Sequence, residues 1–148
     1  MANTITALHF AVGANQEHQF AFNLTRRPFS ILIGRDPRCD VYVSSSLPDA
    51  EFVSRKHACV YARADGIWIE DLRSSYFTFV EGQAIAAPHR LAVESEPSHL
   101  QLGLVPLVIS ITSMTKKQLR EFRDASKQML SAQCLVTTSL PSAVTGGG

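Results

Sequence analysis

The sequence predicts an all-β sandwich followed by one helix. Short apolar or alternating runs fill residues 3–112 and recur at spacings near ten residues, a pattern typical of sandwiches. Turn residues such as glycine and proline separate these runs, and no helical segment comes between them. After residue 112 the apolar residues recur at helical spacing instead. We therefore divide the chain into a sandwich over 1–112, a helix over 113–135 and a flexible tail over 136–148.

The predicted strands are apolar or alternating segments that end at polar or turn-forming residues. One pair of them is joined by a turn that contains Asp65-Gly66, a strong hairpin signal. The segment with Pro88 and Pro97 is interpreted as a loop. The strands, in order, are Ile5–Val12, His18–Leu24, Phe29–Ile33, Asp40–Val43, His57–Arg63, Ile67–Leu72, Phe77–Val80, Gln83–Ile85, His99–Leu102 and Leu107–Thr112.

The segment after the last strand has the signals of an amphipathic helix of about five turns. Thr115 followed by Gln118 has the form of a capping box, which begins a helix. An apolar stripe follows, and basic residues lie mostly off it. We favour packing of this helix on the sandwich, and the alternative is a docking or self-association surface. The stripe consists of Leu119, Phe122, Met129 and Leu130.

The tail consists mainly of Ser, Thr, Pro and Gly, a composition typical of flexible segments. It also contains Thr137 and Thr138. If phosphorylated, these threonines would offer a second route to oligomers, by occupying a phosphate site on another molecule.

Composition excludes several classes of function. The net charge is +1 over 148 residues, which gives no general argument for binding to nucleic acid or membranes. No run of about 20 apolar residues is present, and the N-terminus lacks the pattern of a secretory signal. Cys39, Cys59 and Cys134 are odd in number and widely spaced, so we expect free thiols in a reducing compartment. We expect neither a metal nor a cofactor.

An arginine stands where the strand Phe29–Ile33 ends, in the stretch SILIGRDPRCDVYV. Because a guanidinium is always charged, Arg35 at a strand end needs an anionic partner. Two kinds of partner are open: a structural carboxylate such as Asp36 or Asp40, or an anion that arrives from outside. On this stretch alone we favour the structural salt bridge.

Two more polar clusters follow, and the three together resemble a known family. The first is Ser54-Arg55-Lys56-His57 in FVSRKHACV, and the second is the block Asp71–Gln83. With Gly34-Arg35 ahead of them, in this order and between strands, they resemble the forkhead-associated (FHA) domain. The resemblance runs from about Ile5 to Thr112 and is strongest between Phe29 and Ile85.

The resemblance implies an eleven-stranded β-sandwich whose loops at one end bind phosphothreonine peptides. It places Arg35 and Ser54 as the principal phosphate ligands, assisted by Arg55 and Ser75. Phosphate carries about −1.5 to −2 charge and three acceptor oxygens, which a guanidinium fork and a hydroxyl can satisfy. The resemblance also gives structural roles to Gly34 and His57.

Three residues depart from the family's usual pattern. Ser75 stands where many members have Thr, Tyr76 replaces the Asn that holds the peptide backbone, and Phe77 replaces a Gly. We assign Tyr76 and Phe77 to the peptide loop, and the alternative is that they extend a strand and pack on the sheet. Asp49 and Glu51 would repel phosphate if they face the site. We expect binding to be weaker and less selective than the family pattern would give.

We therefore expect a phosphothreonine-dependent interaction module of a larger intracellular protein, of the nuclear or signalling kind. The alternative is an FHA-like scaffold that binds partners through a sandwich face or the C-terminal helix, without phosphate. An enzyme is not supported, because no nucleophile elbow or third catalytic residue accompanies Ser54 and His57.

Overall fold

The computed structural model describes residues 3–25 and 29–123 of the chain. These residues form eleven strands, a short 3-10 helix (Ala50–Phe52) and a C-terminal helix, α1, over residues 116–123. No helix within them is both long enough and apolar enough to cross a membrane. The strands are β1 (Thr4–Val12), β2 (His18–Asn23), β3 (Ser30–Gly34), β4 (Val41–Tyr42), β5 (Ala58–Arg63), β6 (Gly66–Asp71), β7 (Thr78–Val80), β8 (Gln83–Ala84), β9 (His89–Leu91), β10 (Ser98–Leu102) and β11 (Val105–Thr115).

The strands form two sheets, which confirms the predicted β-sandwich and its eleven strands. One sheet has the order β2-β1-β11-β10-β7-β8, and the other has the order β4-β3-β5-β6-β9. All neighbours are antiparallel except β3 and β4, which run parallel. The loop between β6 and β7 passes from one sheet to the other, so it joins the two layers near the site described below.

The core lies between the two sheets and is made by alternate residues of the central strands. On β1 and β11 these include Phe10, Leu107 and Ile109, and on β3 and β6 they include Ile33 and Ile69, all fully buried. The other residues of each strand face outward, as the period of two along a strand requires. This packed core provides the rigid support for the loops at its end.

Most predicted strand bounds differ from the structure by one or two residues, and three differences change the description of the fold. Residues 89–91, interpreted as part of a loop, form edge strand β9 beside β6; only Leu91 of the three is buried, so the alternation was too short to detect. The last strand continues past Thr112 to Thr115, because its end pairs with the first residues of β1. Phe77, predicted to begin a strand, lies in the loop before β7. The predicted hairpin is confirmed, with β5 and β6 joined by Ala64 and Asp65.

The predicted capping box is confirmed at the junction of β11 and α1. The N–H of Thr115 donates to Gln118 Oε1 at 2.8 Å, and the N–H of Gln118 donates to Thr115 Oγ1 at 3.1 Å. Leu119 is buried in a small cluster with Ala7 and Met114 on β1 and β11, and Phe122 packs beside it. Helix α1 therefore packs on the outer face of the first sheet. Met129, Leu130 and the predicted tail lie outside the described residues.

The two described cysteines are free thiols, and Cys134 lies outside the described residues. Cys39 is buried, and its Sγ donates to the carbonyl oxygen of Arg55 at 3.2 Å. Burial raises the pKa of this thiol to about 11, so Cys39 is protonated and unreactive at neutral pH.

Candidate functional site

The three predicted polar clusters meet at one end of the sandwich, on three loops. The N–H of Arg35, at the end of β3, donates to the carbonyl oxygen of Ser54 at 3.1 Å. The N–H of Ser75, in the loop between β6 and β7, donates to Ser54 Oγ at 3.1 Å. Ser54 therefore connects the loop that carries Arg35 to the loop that carries Ser75. The structure therefore brings the predicted phosphate ligands together at one end of the sandwich.

Gly34 allows the first two loops to approach each other closely. A Cβ atom at this position would overlap the carbonyl oxygen of Arg55, a backbone atom that cannot rotate away. The N–H of Asp36 donates to the same carbonyl oxygen of Arg55 at 3.0 Å. The glycine is needed here because two backbones touch, which is consistent with its predicted structural role.

Arg35 does not form the salt bridge that its own stretch of sequence favoured. Its Nε donates to the carbonyl oxygen of Val53 at 2.8 Å, and within residues 3–25 and 29–123 no carboxylate lies within ion-pair distance of it. The two candidate partners are engaged elsewhere: Asp40 accepts from the N–H of Leu32, and Asp36 pairs with Arg38 and Arg55. The half-buried Arg35 guanidinium is therefore oriented by the backbone while its charge stays unpaired in this part of the chain.

The Ser54 hydroxyl is positioned to donate to an anion. Its oxygen accepts from the N–H of Ser75, whereas its own proton has no acceptor among the described side chains and backbone. The backbone N–H of Ser54 is already used, since it donates to His57 Nδ1 at 3.0 Å. An incoming acceptor would complete the bonding of this hydroxyl.

Arg55 and Ser75 flank this centre. The Arg55 side chain is 68% exposed, and its Nη2 lies 3.3 Å from Asp36 Oδ2, so part of its charge is already compensated. Ser75 is exposed, and its side chain makes no hydrogen bond to the described residues. Arg55 is thus held on one side by Asp36 and keeps its other donors exposed, whereas the Ser75 side chain has no partner among the described residues.

His57 supports the site from inside the sandwich. It is fully buried; Ser54 N–H donates to its Nδ1, and its Nε2 lies 2.9 Å from the carbonyl oxygen of Phe77. Because the carbonyl oxygen of Phe77 can only accept, Nε2 must carry a proton. Because Nδ1 accepts from the N–H of Ser54, it carries none, and the ring is neutral. Burial lowers the pKa of His57, which agrees with this neutral form. The ring bonds to the backbone of Ser54 and not to its hydroxyl, so the two do not form a nucleophile–base pair.

Tyr76 and Phe77 lie at the surface of the third loop, 51% and 57% exposed. The alternative that they extend a strand and pack on the sheet is therefore wrong. Phe77 has φ 71°, the left-handed conformation that glycine adopts without strain. Its carbonyl oxygen is held by His57 Nε2–H and by the N–H of Gly103 at 2.9 Å. Tyr76 meets Phe52 edge to face, with ring centroids 5.0 Å apart.

Sequence reasoning did not assign the roles of two carboxylates, Asp71 and Asp36, that organise these loops. Asp71 accepts from the N–H and the hydroxyl of Ser74 and from the hydroxyl of Thr78. Burial acts to raise the pKa of Asp71, but these hydrogen bonds outweigh it and the net shift is downward. The three-residue spacing from Asp71 to Ser74 is a turn signal that could have revealed this role. Asp36 gave no comparable signal, because one of its two partners, Arg55, is distant in sequence and approaches it only in the fold.

Comparison with known proteins decides the family. Residues 31–96 match the FHA domain family, and the matched segment includes all three loops of the site. The chain contains an FHA domain. No curated protein matches the chain at a significant level.

Solved structures agree with this FHA domain in fold. The FHA domain of the CT664 protein from Chlamydia trachomatis is 24% identical, with a TM-score of 0.55 over 70% of this chain and 96% of that one. An FHA domain from work on phosphothreonine-dependent interactions is 19% identical, with a TM-score of 0.56 over 72% and 97% of the two chains. EmbR from Mycobacterium tuberculosis, in complex with a low-affinity phosphopeptide, is 20% identical, with a TM-score of 0.57 over 74% of this chain and 25% of that one.

Proposed function

We propose that this FHA domain binds phosphothreonine-containing segments of a partner protein, with Arg35 and Ser54 as the principal ligands of the phosphate. The observation that carries this proposal is that the Arg35 guanidinium is held in place but has no carboxylate partner among the described residues. It is fixed on the carbonyl oxygen of Val53 and lies on a loop bonded to Ser54. An oriented cation beside a hydroxyl with a free proton is suited to a phosphate.

The chemistry of each ligand supports this assignment. A planar guanidinium donates to two phosphate oxygens at once, and Ser54 can donate to a third. Arg55 and Ser75 assist from the rim, where both are exposed. EmbR, which has a similar fold, has been solved with a low-affinity phosphopeptide, which supports a phosphorylated partner for this chain as well.

Arg35→Ala tests the proposal against a phosphothreonine peptide library and its unphosphorylated counterpart, by isothermal titration calorimetry. Hydrogen bonds to charged groups contribute about 1.5–3 kcal/mol each, so losing a bidentate pair should weaken binding by roughly two decades or more. Arg35→Lys should restore little, because the planar fork is lost. Unchanged phosphopeptide affinity in Arg35→Ala would remove Arg35 from the site.

Arg90→Ala is the matched control. Arg90 also donates its Nε to a backbone carbonyl, that of Asp65 at 2.7 Å, but it lies on edge strand β9 and pairs with Glu94. Arg90→Ala should leave phosphopeptide affinity unchanged. The comparison therefore separates affinity lost because Arg35 is missing from affinity lost because the protein carries one positive charge fewer. Thermal melts of both variants would verify that each remains folded.

A second function is favoured by one specific observation, the exposure of Tyr76 and Phe77. Exposed aromatic side chains at a loop end are common anchors of protein interfaces. In this alternative the domain binds a partner without phosphate. The same titrations distinguish the two functions: a partner bound equally well with and without phosphate, insensitive to Arg35→Ala and lost in Tyr76→Ala, would establish the alternative.

A further inference from the structure

A buried carboxylate holds two exposed arginines beside the proposed phosphate site. Arg38 donates through Nε to Asp36 Oδ1 at 3.2 Å and through Nη2 to Oδ2 at 2.9 Å. Arg55 donates through Nη2 to the same Oδ2 at 3.3 Å. The Asp36 side chain is only 4% exposed, whereas those of Arg38 and Arg55 are 81% and 68% exposed. The surface at this point therefore presents guanidinium groups and hides the carboxylate.

Both arginines keep unused donors. Nη1 of Arg38 and both Nε and Nη1 of Arg55 have no acceptor among the described residues. Arg35 precedes Asp36 in the chain and Lys56 follows Arg55, so these two loops carry two further basic residues. The same loops also carry the carboxylates of Asp40, Asp49 and Glu51, and Asp36 is the one that Arg38 and Arg55 contact. Hydrogen bonds from Arg38 lower the pKa of Asp36, so this carboxylate is ionised throughout the physiological range and continues to hold both arginines.

Backbone contacts fix this pair relative to the Arg35–Ser54 centre. The N–H of Arg38 donates to Asp36 Oδ1 at 3.0 Å, which sets the turn that carries it. The carbonyl oxygen of Arg55 accepts from the N–H of Asp36 and from Cys39 Sγ. One residue earlier, Arg35 N–H reaches the carbonyl oxygen of Ser54. The two arginines are thus part of the same pair of loops as the phosphate ligands.

We propose that Arg38 and Arg55, held by Asp36, form a second anion subsite that takes another negatively charged group of the same ligand, a carboxylate or a second phosphate. The inference rests on the proposed function, since it extends that site. It makes the domain selective for phosphothreonine segments with an anionic neighbour. Asp36 is a positioning residue in this arrangement, because it acts through the two arginines and lies beneath them.

The experiment compares three peptides of otherwise equal sequence: phosphothreonine with neutral neighbours, with Asp and Glu neighbours, and with a neighbouring phosphoserine. The wild-type full chain should bind the two anionic peptides about tenfold more tightly than the neutral one, since charge-assisted donors at an exposed site are added. Arg38→Ala should remove most of this tenfold preference and change the affinity for the neutral peptide less than about twofold. Comparing the two anionic peptides shows whether the second subsite prefers a carboxylate or a phosphate.

Two further variants separate a second subsite from general electrostatics. Arg90→Ala removes an equal charge far along the chain and should keep the preference. Asp36→Asn removes a negative charge. If general electrostatic attraction sets the affinity, this variant should bind every peptide more tightly. If Asp36 positions the two arginines, the variant should lose the preference for anionic neighbours. Arg38→Lys keeps the charge without the bidentate contact and should retain only part of the preference.

Several outcomes would overturn the inference. Equal wild-type affinity for neutral and anionic peptides, with binding still dependent on Arg35, would do so and leave the proposed function intact. A uniform loss for all peptides in Arg38→Ala would reduce the pair to nonspecific attraction. If no phosphopeptide bound, the proposed function would fail; titration with pyrophosphate, followed by NMR at the Arg38 and Arg55 Nε–H signals, would then decide, and unshifted signals would overturn the subsite too.

Discussion

At the scale of single residues, Phe77 shows how a position usually given to glycine can be occupied by a bulky side chain. Its φ of 71° is unfavourable for a residue with a Cβ atom, by about 1–2 kcal/mol. Two donors hold its carbonyl oxygen, the ring of His57 and the N–H of Gly103. The backbone is thus fixed by its partners, and the aromatic ring is left exposed at the site.

Substitution of Phe77 measures this strain. Glycine is normally less favourable than alanine in folded segments by roughly 0.5–1 kcal/mol, but at position 77 the order should reverse. We expect Phe77→Gly to be more stable than Phe77→Ala by about 1 kcal/mol, measured by chemical denaturation. Phe79, on β7 and without a positive φ, is the control, and Phe79→Ala should be more stable than Phe79→Gly there. Equal stability of the two variants at 77 would mean that the loop relaxes.

At the scale of elements, the sequence predicted those with enough periodicity to show it. The long strand β11 alternates between buried and partly buried residues over 105–110, and β1 is mostly buried over 7–12, whereas β9 has one buried residue, Leu91, and no alternation. Where a strand ends depends on its partner strand. The last residues of β11 are strand because they pair with β1, and this could not be predicted from the local sequence. Capping is local, and the Thr115–Gln118 box was therefore predictable.

Truncation tests whether α1 contributes to stability. A cut after Thr112 would also remove strand residues paired with β1, so the informative cut lies after Thr115. Losing the burial of Leu119 costs about 1.5–3 kcal/mol, which should lower the melting temperature by roughly 5 °C or more. A second truncation after Arg123 keeps Leu119 and Phe122 and should melt higher than the first. Light scattering on both would detect a change of oligomeric state; no change in either measurement would mean that the helix is a free linker.

At the scale of the whole molecule, the candidate site depends on contacts that no single segment specifies. Each polar cluster was visible in the sequence, and their order was enough to indicate the family. The partner of Arg35 was not visible, because the choice between Asp36, Asp40 and a backbone carbonyl is made when two loops meet. The carboxylate nearest in sequence belongs to Arg38 and Arg55 instead.

The layout of the three loops also places the two principal phosphate ligands on other loops than the aromatic pair, so the pair can be replaced without changing Arg35 or Ser54. Arg35 and Ser54 lie on loops of one sheet, whereas Tyr76 and Phe77 lie on the loop that crosses to the other sheet. Without an amide at position 76, a peptide backbone loses about one or two neutral hydrogen bonds, at about 0.5–1.5 kcal/mol each. The double variant Tyr76→Asn with Phe77→Gly should therefore tighten phosphothreonine binding by roughly a decade. Calorimetry with and without Arg35→Ala measures this, since the gain should require Arg35. A folded double variant that binds no better would show that the aromatic pair is not what weakens the site, which would then be either tuned to a different ligand or no longer a phosphate site.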